Sequence, residues 1–172
     1  MKKLLVVVDY QKDFVDGALG FEGAELIADV IKNKIETYLN NNDDIIYTLD
    51  THYDNYLDTH EGKNLPVAHC ILDTFGHKVN NECDYLDKAL KVFKKNTFPS
   101  LELAKYLENT DYDYVELCGL VSNICVLSNA VMVKSALPNA EIVIDKCATA
   151  SFDFELEAKA FDVLKGLHIV VK

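Results

Sequence analysis

Tyr114-Val115-Glu116-Leu117-Cys118-Gly119 is an apolar run interrupted once by Glu116 and closed by a glycine. Residues Ser122–Leu137 follow with helical character and stop at Pro138, which cannot continue a helix. Glu141–Ile144 then reads as another strand. Strand, helix and strand in so short a span is the repeating unit of a parallel sheet. The same alternation extends outward. Leu4–Val8 is a strand, and Ala24–Leu39 a helix with Leu26, Ile27, Val30, Ile31 and Ile35 at helical spacing. Asp44–Leu49 and Leu90–Lys94 are strands two and three. Ser100 caps a helix over Leu101–Leu107. Asp153–Lys165 is a helix ended by Gly166, and Leu167–Val171 is the sixth strand. The strand runs are predominantly apolar, as strands covered on both sides are. The expected fold is α/β: a Rossmann-like three-layer sandwich, with a six-stranded, mostly parallel sheet and helices on both faces.

Length and composition bound the rest. The 172 residues predict a single domain over 1–172, large enough to bury a core without disulfides. The balance of 17 Lys+Arg against 28 Asp+Glu leaves a net charge of −11. That charge argues against nucleic acid and anionic membrane surfaces as partners. No apolar run approaches the roughly 18 residues of a membrane span. The start Met1-Lys2-Lys3-Leu4-Leu5-Val6-Val7-Val8 reaches Asp9 too soon for a signal peptide. Five cysteines without paired spacing predict reduced thiols in a cytoplasmic protein. Only residues 51–87 break the pattern. This polar stretch holds His52, His60, His69 and His77 with little periodicity, and long irregular connections of this kind are often functional.

Open parallel sheets bind ligands beyond the carboxyl ends of their strands. Those ends carry Asp9, then Asp50 with His52, then Lys94-Lys95, then Gly119 with Cys125 six residues on. Each residue alone has a plainer reading. Asp9 suits a turn, either lysine a solvated strand end, and Cys125 a small buried hydrophobe. Together they bring carboxylate, ammonium and thiol to one edge. A helix N-terminus and a nearby lysine both lower a thiol pKa, and a carboxylate can take the thiol proton and return it to a leaving amine.

Three motifs carry a resemblance. Asp9-Tyr10-Gln11-Lys12-Asp13-Phe14 resembles the D-x-Q-x-D-F opening of isochorismatase-like cysteine hydrolases. Gly119-Leu120-Val121-Ser122-Asn123-Ile124-Cys125-Val126 resembles their nucleophile segment, and Lys95-Asn96-Thr97-Phe98 their K-x-x-[YF] motif, which selects Lys95 over Lys94. The resemblance covers essentially the whole chain. It implies a catalytic triad of Asp9, Lys95 and Cys125, a cis peptide at Leu120–Val121, and an oxyanion hole formed by the amides of Val121 and Cys125. It also implies a homo-oligomer.

Asp50, His52 and His69 are a plausible divalent-metal set with open positions for water or substrate. The nicotinamidase-like branch of the family carries D-x-H after its second strand and W-P-x-H-C further on, so the resemblance implies a metal here, Zn²⁺ foremost, that orients a pyridine nitrogen. Leu65-Pro66-Val67-Ala68-His69-Cys70 departs from that pattern, with Leu65 in place of Trp and two residues in place of one. Phe14, Leu65 and Phe98 are the candidate substrate-binding residues, although as apolar side chains they also suit the core. His60 and His77 read as exposed lone histidines. No dinucleotide fingerprint, Walker A sequence or serine elbow is present.

The expected function is that of a cysteine amidohydrolase resembling nicotinamidase, converting nicotinamide to nicotinate and ammonia through a thioester. Leu65 motivates an alternative, another small amide, carbamoyl or ureido substrate on the same triad. A different class, a non-catalytic ligand-binding or thiol-sensing protein, would carry a Cys125 of ordinary reactivity.

Overall fold

The computed structural model describes residues 1–172. Its sheet is built from β1 (Lys3–Val8), β2 (Asp44–Asp50), β3 (Lys91–Lys95), β4 (Tyr114–Leu120), β5 (Glu141–Ala150) and β6 (Val170–Val171). They pair in the order β3-β2-β1-β4-β5-β6, and every pairing is parallel. The order reverses direction between β1 and β4, and such a switch point opens a crevice. The register puts Val8 opposite both Thr48 and Gly119, and Asp50 opposite Lys95, so the chemistry-bearing strand ends lie level along one edge.

Alternate residues of β1 feed two cores, as the strand period requires. Leu4, Val6 and Val8 pack with the apolar stripes of α4 (Leu101–Leu107), α5 (Leu127–Ala136) and α6 (Phe154–Gly166). Leu5 and Val7 pack on the other face against α2 (Ala28–Asn40), through Ile31, Ile35 and Tyr38. Ser100 caps α4 by accepting from the Leu103 N–H at 3.2 Å, and Asp153 caps α6 through the Leu156 N–H at 2.9 Å.

Four features differ from the expectation. A short helix, α1 (Lys12–Val15), follows β1. The 51–87 stretch holds α3 (His60–Asn64) and two single 3-10 turns, too brief to leave periodicity. β5 runs on to Ala150 past an irregularity after Ile144, where Asp145 turns out to pair with Lys34 on α2 at 2.6 Å. β6 is only two residues long. No helix is long and apolar enough to cross a membrane.

Candidate active site

Asp9 leaves β1 with φ +45°, a left-handed backbone that aspartate tolerates better than most non-glycine residues. Its Oδ1 accepts from the Thr48 hydroxyl at 2.7 Å, and its Oδ2 lies 2.6 Å from Lys95 Nζ. Lys95 Nζ also donates to the Thr97 carbonyl at 2.9 Å and to Cys125 Sγ at 3.7 Å, and stands 3.4 Å from Asp50 Oδ1. Strand alternation turns Lys95 inward and leaves Lys94 exposed. Apart from the ion contact, Asp9 Oδ2 has no hydrogen-bond partner, so a lone pair remains to take a proton.

Burial dominates the electrostatics. It raises Asp9 above the ordinary carboxylate range; Lys95 opposes that shift and Asp50 adds to it. Burial also opposes the charge on Lys95, but Asp9, Cys125 and Asp50 outweigh it and hold the ammonium well above the usual lysine range. The Cys125 thiol is pushed well up by burial, with Lys95 pulling the other way. The expected lowering of this thiol is therefore not met, because burial of the sulfur outweighs one neighbouring cation.

The nucleophile segment is held from several sides. The Leu120–Val121 peptide is cis, as the resemblance implied. Gly119 has φ +110°, and a Cβ there would fall on the Val8 carbonyl, so the close passage of β4 over β1 requires glycine. Residues Ser122–Val126 form a π-helical turn leading into α5. Asn129 Nδ2 donates to the Cys125 carbonyl at 2.8 Å and to the Phe98 carbonyl at 3.2 Å, tying this turn to the loop after β3.

Beside these side chains lies a second cluster. One ligand atom each from Asp50, His52, Glu61 and His69 falls within 4.8 Å of the others. Asp50 Oδ2 is 3.0 Å from His52 Nε2 and 3.2 Å from His69 Nε2, and Glu61 Oε1 is 3.5 Å and 3.8 Å from the same two nitrogens. Burial works to raise Asp50, but Lys95, His52 and His69 hold it well below the usual carboxylate range. Burial and then Asp50 raise Glu61. His69 Nδ1–H donates to the Val67 carbonyl at 2.7 Å, because a carbonyl can only accept. Its Nε2 therefore faces two carboxylates and calls for a proton or a metal cation. Two imidazoles and two carboxylates, one ring oriented by a backbone carbonyl, fit a divalent metal.

A cavity of about 370 Å³ joins the two groups. Cys125, Asp50, Glu61 and His69 line one part of it, and Phe14, Phe21, Leu65, Phe98, Val121 and Phe152 are among its apolar lining. All three expected substrate-binding residues reach it, though Phe98 is 44% exposed and sits at the rim. A more polar cavity of about 600 Å³, lined by His52 and Asn64, shares Glu61, Leu65 and Phe98 with the first.

The isochorismatase domain model matches residues 3–171. The chain belongs to the isochorismatase family. Among isochorismatase-family relatives, a Bacillus subtilis protein described as uncharacterized isochorismatase family protein PncA is 29% identical over 176 residues, covering 93% of this chain and 92% of that one. The solved structure of nicotinamidase/pyrazinamidase PncA from Bacillus subtilis superposes with a TM-score of 0.87 at 27% identity, covering 99% of each chain. N-carbamoylsarcosine amidase from Thermoplasma acidophilum gives 0.81 at 25%, covering 100% of this chain and 96% of the other. The pyrazinamidase of Pyrococcus horikoshii, solved in complex with zinc, shares the fold at 0.87 and 24%, covering 100% and 99%.

Within this isochorismatase-family site, sequence reasoning missed Glu61, Phe21, Ile124 and Phe152. The D-x-H pattern pointed to the neighbourhood of Glu61, but no spacing marks a ligand on a helix of five residues. Phe21 and Phe152 come from distant segments and meet edge to face at 5.9 Å. His77 is buried rather than exposed, with Nε2 2.8 Å from the Thr51 hydroxyl. His60 is exposed, as expected.

Proposed function

We propose that this chain is a cysteine amidohydrolase that cleaves a small aromatic carboxamide, nicotinamide first, to the acid and ammonia. The observation that carries the reading is the meeting of Lys95 with Asp9 at 2.6 Å and with Cys125 Sγ at 3.7 Å, where Cys125 lines a phenylalanine-rich cavity. Asp9 Oδ2 takes the thiol proton as the sulfur attacks the carboxamide carbon. The forming oxyanion lies on the Val121 and Cys125 amides. The C–N bond breaks as Asp9 returns the proton to nitrogen, and ammonia leaves a thioester. Asp9 then takes a proton from water, whose oxygen attacks the thioester, and the thiol regains its proton as the acid departs. A carboxyl raised by burial suits this role, because it holds a proton between steps more readily than an ordinary aspartate. Lys95 keeps Asp9 in place and sets a positive charge beside the sulfur.

Asp50, His52, His69 and Glu61 would hold a divalent cation, and Zn²⁺ suits two imidazoles with carboxylates. When bound, the ion supplies a Lewis acid that orients a ring nitrogen. Phe14, Phe21, Phe98 and Phe152 favour a flat ring although Leu65 stands where the branch carries Trp. The five free thiols support a cytoplasmic setting, and exposed Phe152, Phe154 and Leu156 support a homo-oligomer. Sedimentation of the purified protein tests the oligomer. Ammonia release from nicotinamide, pyrazinamide, aliphatic amides and ureido compounds tests the substrate class. Preference for the heteroaromatic amides is expected, and a non-aromatic compound turned over orders of magnitude faster would replace this reading with the carbamoyl one.

A further inference from the structure

The segment between β1 and α2 contributes Asp9 to the mechanism and Phe14 to the cavity, but two further polar side chains have no part in either. Gln11 is fully buried. Its Oε1 accepts from the Asp50 N–H at 2.7 Å, and its Nε2 donates to the Asp50 carbonyl at 2.9 Å and to the His77 carbonyl at 2.9 Å. The reason lies in the sheet. β1 turns away at Asp9, whose N–H makes the last rung, to the Thr48 carbonyl. On the other side β2 stays paired, with the Thr51 N–H donating to the Lys95 carbonyl at 2.7 Å. Asp50 would face a missing strand with both its backbone groups buried and unpaired, which costs free energy. The Gln11 amide stands in for that strand.

Asp13 does the equivalent on the loop. Its Oδ2 accepts from the Cys70 N–H at 2.7 Å and its Oδ1 from the Ala18 N–H at 3.1 Å. Cys70 follows His69, has φ +45°, and accepts from the His52 N–H at 3.0 Å through its carbonyl. Both histidines are thus hung on one residue that Asp13 pins. Gly76 passes so close that a Cβ would collide with the Asp13 carboxylate.

We infer that Gln11 and Asp13 are positioning residues for the cation site, with Gln11 fixing Asp50 and Asp13 fixing the His52 and His69 backbones. The inference rests on the metal reading above. Partners behind metal ligands are typically worth about ten- to a hundredfold in affinity.

The test is Co²⁺ binding to the full chain, followed by chelator competition and by visible absorption bands, which report ligand geometry and would not move for a role in overall stability alone. Gln11→Met keeps the side-chain length without its hydrogen bonds, and Asp13→Asn keeps the shape without the charge. Each is expected to weaken Co²⁺ at least about tenfold and to alter the bands while unfolding cooperatively. Wild-type affinity and bands in both variants would overturn the proposal alone. A wild-type protein that takes up no Co²⁺ would overturn the metal reading and the proposal with it. Should either variant fail to fold, the wild type decides by NMR. The Gln11 side-chain amide signals are expected to shift when Zn²⁺ is added, and signals that stay in place would refute the Gln11 role.

Discussion

Lys95 Nζ sits 2.6 Å from Asp9 Oδ2, with the lysine side chain 3% exposed and the aspartate 0%. A charge so enclosed tolerates the loss of its partner poorly, since the survivor cannot be rehydrated. Lys95→Met is expected to destabilise the fold by about 3–5 kcal/mol. The double variant Lys95→Met/Asp9→Asn should recover part of that loss, because it leaves no lone buried carboxylate. Urea unfolding of the two variants checks this; a double variant less stable than Lys95→Met would refute the pairing argument.

The Lys34 ammonium of α2 bridges Glu116 at 2.9 Å and Asp145 at 2.6 Å. Burial opposes its charge, but the hydrogen bonds to Asp145 and Glu116 win and raise it to about 12. Burial likewise opposes ionisation of Asp145, and Lys34 outweighs it, so that carboxyl is lowered. The lowered acid contributes stability that is present above the unfolded carboxyl range and lost as pH falls through its folded value. The raised lysine contributes stability that is present below its unfolded value of about 10.5 and lost as pH rises toward 12. Lys34→Met is expected to cost about 2 kcal/mol at neutral pH and to flatten both limbs. Urea midpoints measured across pH would show it, and unchanged limbs in the variant would refute the assignment.

Glu61 comes from α3 and faces both histidine nitrogens. Glu61→Gln keeps the shape but removes one of two negative charges. Divalent-metal affinity should fall about tenfold, in line with losses on altering such sites. Isothermal titration with Zn²⁺ measures it, and an unchanged affinity would remove Glu61 from the ligand set.

The Phe21–Phe152 contact closes the apolar wall of the cavity. Phe152 is 61% exposed, so its removal costs the fold little. Aromatic contacts of this kind contribute about 1 kcal/mol, which predicts a roughly fivefold rise in KM for nicotinamide in Phe152→Ala with kcat little changed. A fall in kcat at constant KM would place Phe152 in the chemistry rather than in substrate binding.

Much of this arrangement was legible in the chain because a parallel sheet levels its strand ends. Asp9, Asp50 and the Lys94-Lys95 pair needed only a correct count of strands; alternation says that one lysine of the pair turns inward, and the K-x-x-[YF] resemblance chose Lys95. Glu61 was hidden because its helix is too short to show a period, and the cluster forms only when 51–87 folds back on β2. His77 was misread as exposed, since its burial depends on Thr51 and on the Gln11 side chain reaching its carbonyl. The rise in the Cys125 pKa was equally unreadable. The motif places a cation nearby, but the enclosure that outweighs it comes from α5, β4 and the cavity wall together. The continuation of β5 past Ile144 was obscured by Asp145, whose charge looks like a strand end until Lys34 is seen beside it.

The most direct test of the central claim is ammonia release from nicotinamide by the purified protein, measured beside Cys125→Ala at equal concentration. The account predicts release by the wild type, a loss of at least about a thousandfold in Cys125→Ala, and a mass increase on Cys125 matching the nicotinoyl group when the reaction is quenched early. Equal release by the two proteins would contradict it, because the sulfur would then take no part in breaking the amide bond.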